Sequence, residues 1–377
     1  MRNPFRYGGV VGQDAFCNRE RELSDLLRAM ENGDRLFVLS ERRMGKTSLV
    51  KLALDQLDPD GFITVYVDLW PTEGELTFAS AMAKAISESV SNTADRLLKT
   101  AKQFFGRLAP SVTIDDAGNP QVTFELRSVD NAGPELEAVL DAPFRLAQQT
   151  RQKVVVVLDE FQQVSQYGSD LVERNLRSTI QTHEGVAYVF LGSRKHLVNR
   201  MFLDEARPLY RAGGHYPLGS ISQEDWIPFI RERFEQAEKL ISDDQIRGVC
   251  ELTEGHPFYT QHLSHAIWEL CEPDSAVTDD VVNNAVELLL ERESYAYATL
   301  WESLSLNQRR FLKGLAHEPP NVRPFSAEFI RDYRLGTASN VQRASEPLLE
   351  RDIIDRDNGS YLISDRFFRV WVQRMVF

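Results

Sequence analysis

The sequence predicts an α/β protein in which a parallel sheet with helices on both faces is followed by a helical lid and a C-terminal winged-helix domain. Three observations carry this. Up to about residue 220, apolar runs of strand length alternate with helical patterns, the rhythm of a doubly wound parallel sheet. Beyond Ser222 the strand signals stop, and Gln223–Leu290 reads as helix, punctuated by Glu254-Gly255-His256-Pro257. From near Leu306 the order becomes helix, helix, helix and a two-stranded wing. The expected domains are 1–220, with a hairpin insertion at about 111–127, then 221–295 and 296–377.

Taken in order, Arg19–Glu31 has the stripe of an amphipathic helix. Leu36–Leu39 is a short buried strand, and Thr47–Leu57 follows as a helix with apolar Leu49, Val50, Leu52, Ala53 and Leu57. Phe62–Trp70, FITVYVDLW, is a second strand, and Leu76–Leu108 is one long helix or two. Val112–Leu126, VTIDDAGNPQVTFEL, breaks at Gly-Asn-Pro and reads as a hairpin. A plain α/β sheet does not need it, which makes it an insertion. Pro134–Gln149 is helical. Val154–Leu158 is an unbroken apolar run, as a parallel strand buried on both faces requires. Gly185–Leu191 is another strand, ended by Gly192-Ser193, and His215–Leu218 is a short last one. In the third domain Asn307–Ala316, Ser326–Tyr333 and Thr337–Glu350 are helical, and Ile353–Ile363 turns around Asn358-Gly359.

Chemistry concentrates where the strands end. The stretch LFVLSERRMGKTSLVK, Leu36–Lys51, runs strand, loop, helix and carries Gly45-Lys46-Thr47. This is the phosphate-binding pattern G-x-x-x-x-G-K-[ST], except that Ser40 stands at the first glycine. Such a loop wraps phosphates in backbone N–H groups at a helix N-terminus; its lysine reaches the terminal phosphates and its hydroxyl binds Mg2+. Ser40, Glu41, Arg42, Arg43, Met44, Gly45, Lys46, Thr47 and Ser48 are therefore candidate nucleotide contacts, Thr47 is a candidate Mg2+ ligand, and the sheet is that of a P-loop NTPase. Whether serine fits at position 40 depends on the φ that the turn demands. The partner stretch is KVVVVLDEFQQV, Lys153–Val164, where Asp159 and Glu160 sit at the carboxyl end of a buried strand. Ligands of open α/β sheets bind there. Asp159 can hold Mg2+ through water and Glu160 can polarise an attacking water. Two acids after a strand are often only a solvated loop, and it is the phosphate loop that gives this pair its meaning.

Composition narrows the class further. The chain has 377 residues, 42% hydrophobic and 26% charged, which is ordinary globular composition with room for two or three domains. A net charge of −13 opposes broad electrostatic binding to nucleic acid or acidic membrane. Cys17, Cys250 and Cys271 are far apart and form no CxxC pair, which suits a reducing cytoplasm. MRNPFRYGG lacks an apolar h-region and predicts no secretory signal, and no apolar stretch is long enough to span a bilayer, so no membrane role is expected.

With FCNRERELSDL (Phe16–Leu26), RRMGKTSL (Arg42–Leu49), VVVVLDEFQ (Val154–Gln162), FLGS (Phe190–Ser193), PLYRAG (Pro208–Gly213), EGHPFY (Glu254–Tyr259) and SDRFFRVW (Ser364–Trp371), the chain resembles the archaeal-type ATPases of the STAND branch. That branch is close to AAA+ proteins and origin-recognition ATPases, and the resemblance covers nearly the whole chain. It implies a Mg2+-dependent ATPase with slow hydrolysis, binding ATP and ADP and working as a switch. A lid closes over the nucleotide, and a winged helix reports its state. Carried over, Gly45, Lys46 and Thr47 are the phosphate loop, and Asp159 and Glu160 the magnesium and water acids. Arg19 lies near the base, although Asn18 replaces the family's glycine. Pro257 lies against the nucleotide; it also suits a first helical turn in its own right. Ser193 senses the terminal phosphate or simply ends its strand. Arg211 precedes the short last strand, where an arginine can reach a neighbour's ATP; the plain alternative is a salt bridge to an acid such as Asp204.

Other residues carry less. His256, His262 and His265 lie near Cys271, but the spacing fits no structural zinc pattern. Phe367, Phe368 and Trp371 have helical spacing suited to core packing, and no Ser-His-Asp or Cys-His arrangement has supporting context. Three functions stay open: an ATPase switch working with a protein partner or by self-association, a DNA-binding initiator or regulator using the winged helix, and a nucleotide-binding scaffold that barely hydrolyses. Tyr297–Phe377 holds 12 Lys/Arg against 10 Asp/Glu, and the expected recognition helix, TASNVQRASEPLLERD, offers Arg343 but also Glu346, Glu350 and Asp352. A DNA reader normally shows more basic residues on that face, so DNA binding is the less favoured reading.

Overall fold

The computed structural model describes residues 2–12, 16–90, 93–105, 108–114, 120–124, 133–319, 322–357 and 359–375. The chain forms two compact units: Glu20–Ser40 with Leu49–Leu218, and Met1–Arg19 with Glu41–Ser48 and Gly219–Phe377.

The first unit is the sheet. Its elements run α1 (Glu20–Asn32), β1 (Arg35–Leu39), α2 (Lys46–Gln56, entering from the other unit), β2 (Phe62–Asp68), α3 (Glu75–Val90), α4 (Ala94–Phe105), β3 (Pro110–Ile114), β4 (Pro120–Phe124), α5 (Gly133–Thr150), β5 (Lys153–Asp159), α6 (Leu171–Ile180), β6 (Val186–Gly192), α7 (Lys195–Leu203) and β7 (Gly214–Pro217). Five strands pair in the order β2-β5-β6-β1-β7, all parallel, as the alternation of strands and helices predicts. Because β5, β6 and β1 are consecutive neighbours, their carboxyl ends emerge side by side, with Leu39 in register with Gly192. Val154–Leu158 have no exposed surface, which is why that run contains no polar residue. Phe37, Phe161, Phe190 and Phe202 pack ring against ring at the centre of this core. The long helical stretch resolves into the two helices α3 and α4. In the hairpin, Val112 pairs with Val122, while most of its Gly-Asn-Pro turn lies outside the described residues. Leu97, Ala101 and Val122 form a small core of their own, so α4 and the hairpin bury each other's apolar side chains.

The second unit is mostly helical: α8 (Gln223–Glu235), α9 (Asp243–Thr253), α10 (Pro257–Leu270), α11 (Asp279–Glu302), α12 (Leu306–His317), α13 (Ala327–Asp332), α14 (Ala338–Glu350), β8 (Ile354–Asp357), β9 (Ser360–Ile363) and α15 (Arg366–Met375). Its helix starts are written in the sequence. Ser222, Ser242, Thr278, Ser305, Ser326 and Thr337 are all N-caps whose side chains accept the amide three residues on. Each contributes about 1 kcal/mol to its helix. Helices α12 to α14 and the β8–β9 pair make the expected winged helix; Asn358 of its turn lies outside the described residues, and Gly359 takes the left-handed φ of 85°. Phe367, Phe368 and Trp371 on α15 are buried in the same core as Trp226, Tyr297 and Phe311, which accounts for their spacing.

Candidate functional site

The phosphate loop leaves β1 through Ser40, which is fully buried and donates its amide to the Gly192 carbonyl at 3.3 Å. Ser40 is not among the residues at positive φ; within the loop those are Arg43 (60°) and Gly45 (85°). The first-glycine position therefore asks for no glycine conformation, and serine sits there without strain. Gly45 does need its glycine. A Cβ added to it would meet nothing within 4 Å, so the constraint is conformational, and the space beside this backbone is open to a ligand. Lys46 is buried and donates from Nζ to the Glu41 carbonyl at 3.0 Å. Ser48 Oγ accepts the Val11 amide at 3.0 Å, tying the N-terminal segment to the loop.

The loop's other polar groups are held by the lid helices and the winged helix of the same unit. Glu41 pairs with Arg366 at 2.8 Å, and Arg366 pairs with Glu254 at 2.8 Å. Arg369 also pairs with Glu254. Arg42 pairs with Asp352 at 3.0 Å, and the Arg43 guanidinium lies 4.3 Å from the centre of the Phe258 ring. Arg366 is 3% exposed. Burial alone would push its pKa down, but Glu41 and Glu254 outweigh that and raise it, so the guanidinium stays charged between two carboxylates. His256, the residue before α10, lies 3.0 Å through Nε2 from the Arg42 carbonyl. A carbonyl can only accept, so Nε2 carries the proton. Burial, then the Arg366 charge, push the His256 pKa down to about 3, which keeps the ring neutral.

Removing Arg366 leaves two half-buried carboxylates without their shared cation. Arg366→Ala should lower stability by about 3 kcal/mol. That corresponds to a melting transition roughly 10 °C lower for a unit of this size. Calorimetry checks this; an unchanged transition would reduce the network to surface decoration.

Arg19 is buried and donates to the Gly219 carbonyl at 2.6 Å. Asn18 takes a left-handed φ of 44°, a conformation asparagine tolerates better than most residues, and its Oδ1 accepts the Arg19 amide at 2.8 Å. The replacement of the family's glycine is thus conformationally met. Pro257 is the first residue of α10, where its missing N–H removes no helical bond.

In the sheet unit, Asp159 ends β5 with both carboxylate oxygens engaged. Oδ1 accepts the Glu160 amide at 2.8 Å, and Oδ2 accepts the Tyr66 hydroxyl from β2. Glu160 has a left-handed backbone, φ 54° and ψ 41°. Its Oε2 accepts from Ser193 Oγ at 2.7 Å and from Gln162 Nε2. The structure thus brings Glu160 and Ser193 together. Arg211 is exposed, with its guanidinium 5.1 Å from the Tyr210 ring centre; Asp204 Oδ1 instead accepts the Ala206 amide at 3.0 Å. The arginine of this segment that does pair with an acid is Arg207, with the buried Glu173.

Tyr66, Gln162, Glu254 and Arg366 escaped sequence reasoning as site residues. Tyr66 looks like one more β-former in FITVYVD, and an internal Gln or Arg carries no periodic signal. The histidines have ordinary partners: His262 stacks on Tyr7 at 3.8 Å, and His265 Nδ1 contacts the Phe5 carbonyl at 3.0 Å. Among the described residues no cluster of His, Cys, Asp and Glu could hold a metal, and no helix is long and apolar enough to cross a membrane. On α14, Arg343 is bonded to Asn340 of its own helix, and Gln342 to Glu346 at 2.8 Å.

Residues 16–263 match a family described as "ATPase domain predominantly from Archaea", and residues 295–374 match a "Probable winged helix domain". Among solved structures, the chain is similar to the Walker-type ATPase of Pyrococcus abyssi, with 17% identity over 97% of this chain and 98% of that one and a TM-score of 0.64. It is also similar to the ORC2 protein of Aeropyrum pernix, solved as ADPNP–ADP complexes, with 13% identity over 99% and 97% of the two chains and a TM-score of 0.53. A search of the curated proteins finds no match. At these identities the likenesses carry the fold alone.

Proposed function

The chain belongs to this family of ATPase domains, predominantly from Archaea, and on that premise we propose that it is a Mg2+-dependent ATPase whose nucleotide state is transmitted to its lid and winged helix. The division of labour follows the three expected segments: sheet core 1–220, lid 221–295 and winged helix 296–377. Lys46 and the backbone amides of Glu41–Thr47 hold the phosphates of ATP or ADP. Thr47 and Asp159 hold Mg2+, which neutralises phosphate charge when bound. The Tyr66 hydroxyl and the Glu160 amide fix the Asp159 carboxylate in one rotamer, which suits a metal-ordering acid. Glu160 polarises the attacking water, with Ser193 beside it. Arg19 and Pro257 flank the base, and Arg211 is exposed as an arginine offered to a second copy.

One observation carries the switch: Arg366, on the last helix of the winged-helix segment, is paired at once with Glu41 of the phosphate loop and Glu254 of the lid. Phosphate charge at the loop raises the local negative potential. The Glu41–Arg366 pair is therefore biased differently by a diphosphate and a triphosphate. A ligand shifts an equilibrium only by such differential interaction. DNA binding is the less favoured reading, since Tyr297–Phe377 holds 12 Lys/Arg against 10 Asp/Glu and α14 sets Glu346 and Glu350 beside Arg343.

Analysis of nucleotide released from the denatured, purified protein tests the premise. The expected result is bound ADP, together with ATP turnover that stops when Mg2+ is chelated. No released nucleotide and no heat on titration with ATP would end the proposal.

A further inference from the structure

Gln162 has no exposed surface, yet its whole amide is directed at the sheet's carboxyl edge. Nε2 donates to Glu160 Oε2 and, at 3.1 Å, to Ser193 Oγ. Oε1 accepts the Ser193 amide at 3.3 Å. The Ser193 hydroxyl in turn donates to Glu160 Oε2 at 2.7 Å. These bonds fix the amide's orientation. Turned over, it would set a carbonyl against a carboxylate and leave the Ser193 N–H facing an NH2 group. The neighbouring backbone makes room for it: a Cβ on Gly192 would meet Gln162 Oε1 at 3.3 Å and collide with Val198. A glutamine used only to fill core would have no need of this arrangement. An apolar residue of the same shape packs there without any polar group to satisfy.

We propose that Gln162 is a positioning residue for hydrolysis: with Ser193 it clamps one oxygen of Glu160, aiming the other at the attacking water. This rests on the ATPase reading above. Glu160 opens the short 3-10 turn Phe161–Gln166 with a left-handed backbone, and its carboxylate makes no cap bond that would order it there. Two donors on Oε2 supply that order.

The test compares wild type with Gln162→Met, which keeps the volume and removes both donors and the acceptor, and with Ser193→Ala. ATP affinity, kcat, KM and melting temperature are measured for each, with Glu160→Gln as reference. The expected result for Gln162→Met is a kcat lower by about 10- to 100-fold at unchanged ATP affinity. If Gln162→Met does not fold, Ser193→Ala carries the same expectation. Unchanged kcat in both variants, beside a wild type that turns over and a silent Glu160→Gln, would overturn this inference alone. Equal losses of affinity, kcat and melting temperature would also overturn it, by making the glutamine structural. A wild type that fails to hydrolyse ATP would overturn the ATPase reading, and this inference with it.

Discussion

Lys46→Ala should weaken ATP binding by about a hundredfold or more while the fold survives. The Lys46 ammonium is buried in the loop and held toward it by the Glu41 carbonyl, where phosphates bound by the loop's amides would meet it. Arg42 and Arg43 flank it but are engaged with Asp352 and the Phe258 ring, so neither stands at the motif's phosphate position. Charge-assisted hydrogen bonds contribute about 1.5–3 kcal/mol each, and losing contacts to two phosphates removes about 3 kcal/mol or more. At about 1.4 kcal/mol per tenfold, that is the expected hundredfold. Lys46→Met, which keeps the buried stem, separates charge from packing and should behave like the alanine variant. Calorimetric titration with Mg·ATP checks both. Wild-type affinity in either variant would show that the loop does not bind phosphate in the expected way.

Glu160→Gln should lower turnover by about 10²- to 10⁴-fold and leave ATP affinity nearly intact, because it removes the water-polarising carboxylate and spares the phosphate loop. Its side chain already donates nothing and accepts from Ser193 and Gln162, so the amide also reverses one of those contacts. Arg211→Ala should reduce turnover by about 10³-fold if a second copy supplies this guanidinium, and wild-type rate should then rise faster than linearly with protein concentration. The exposed position of Arg211 beside Tyr210 permits this. A linear concentration dependence with an unaffected Arg211→Ala would make hydrolysis a property of one chain. An active Glu160→Gln would remove the acid from the mechanism altogether.

The sheet was legible because its signals are strong and local. Val154–Leu158 can hardly be anything but a doubly buried strand, and the loop motif fixes the start of α2. The six Ser and Thr N-caps mark most of the later helices. Serine at position 40 could not be judged from sequence, since the answer lay in a dihedral angle. The contacts of Arg366, Glu254 and Glu41 were illegible for a different reason. They join residues more than a hundred or even three hundred positions apart, and nothing in the local pattern distinguishes an arginine that bridges two acids from one that faces water. Gln162 is illegible in the same way, because a glutamine takes its role only from its neighbours.

On the proposed function, the winged helix reads the nucleotide through the phosphate loop. Hydrogen exchange of the α15 amides, Arg366–Met375, tests it most directly, measured with saturating ADP and with a non-hydrolysable ATP analogue. Protection of these amides should differ between the two states in wild type, and Glu41→Gln should abolish the difference while both nucleotides still bind. Identical protection in the two wild-type states would contradict it.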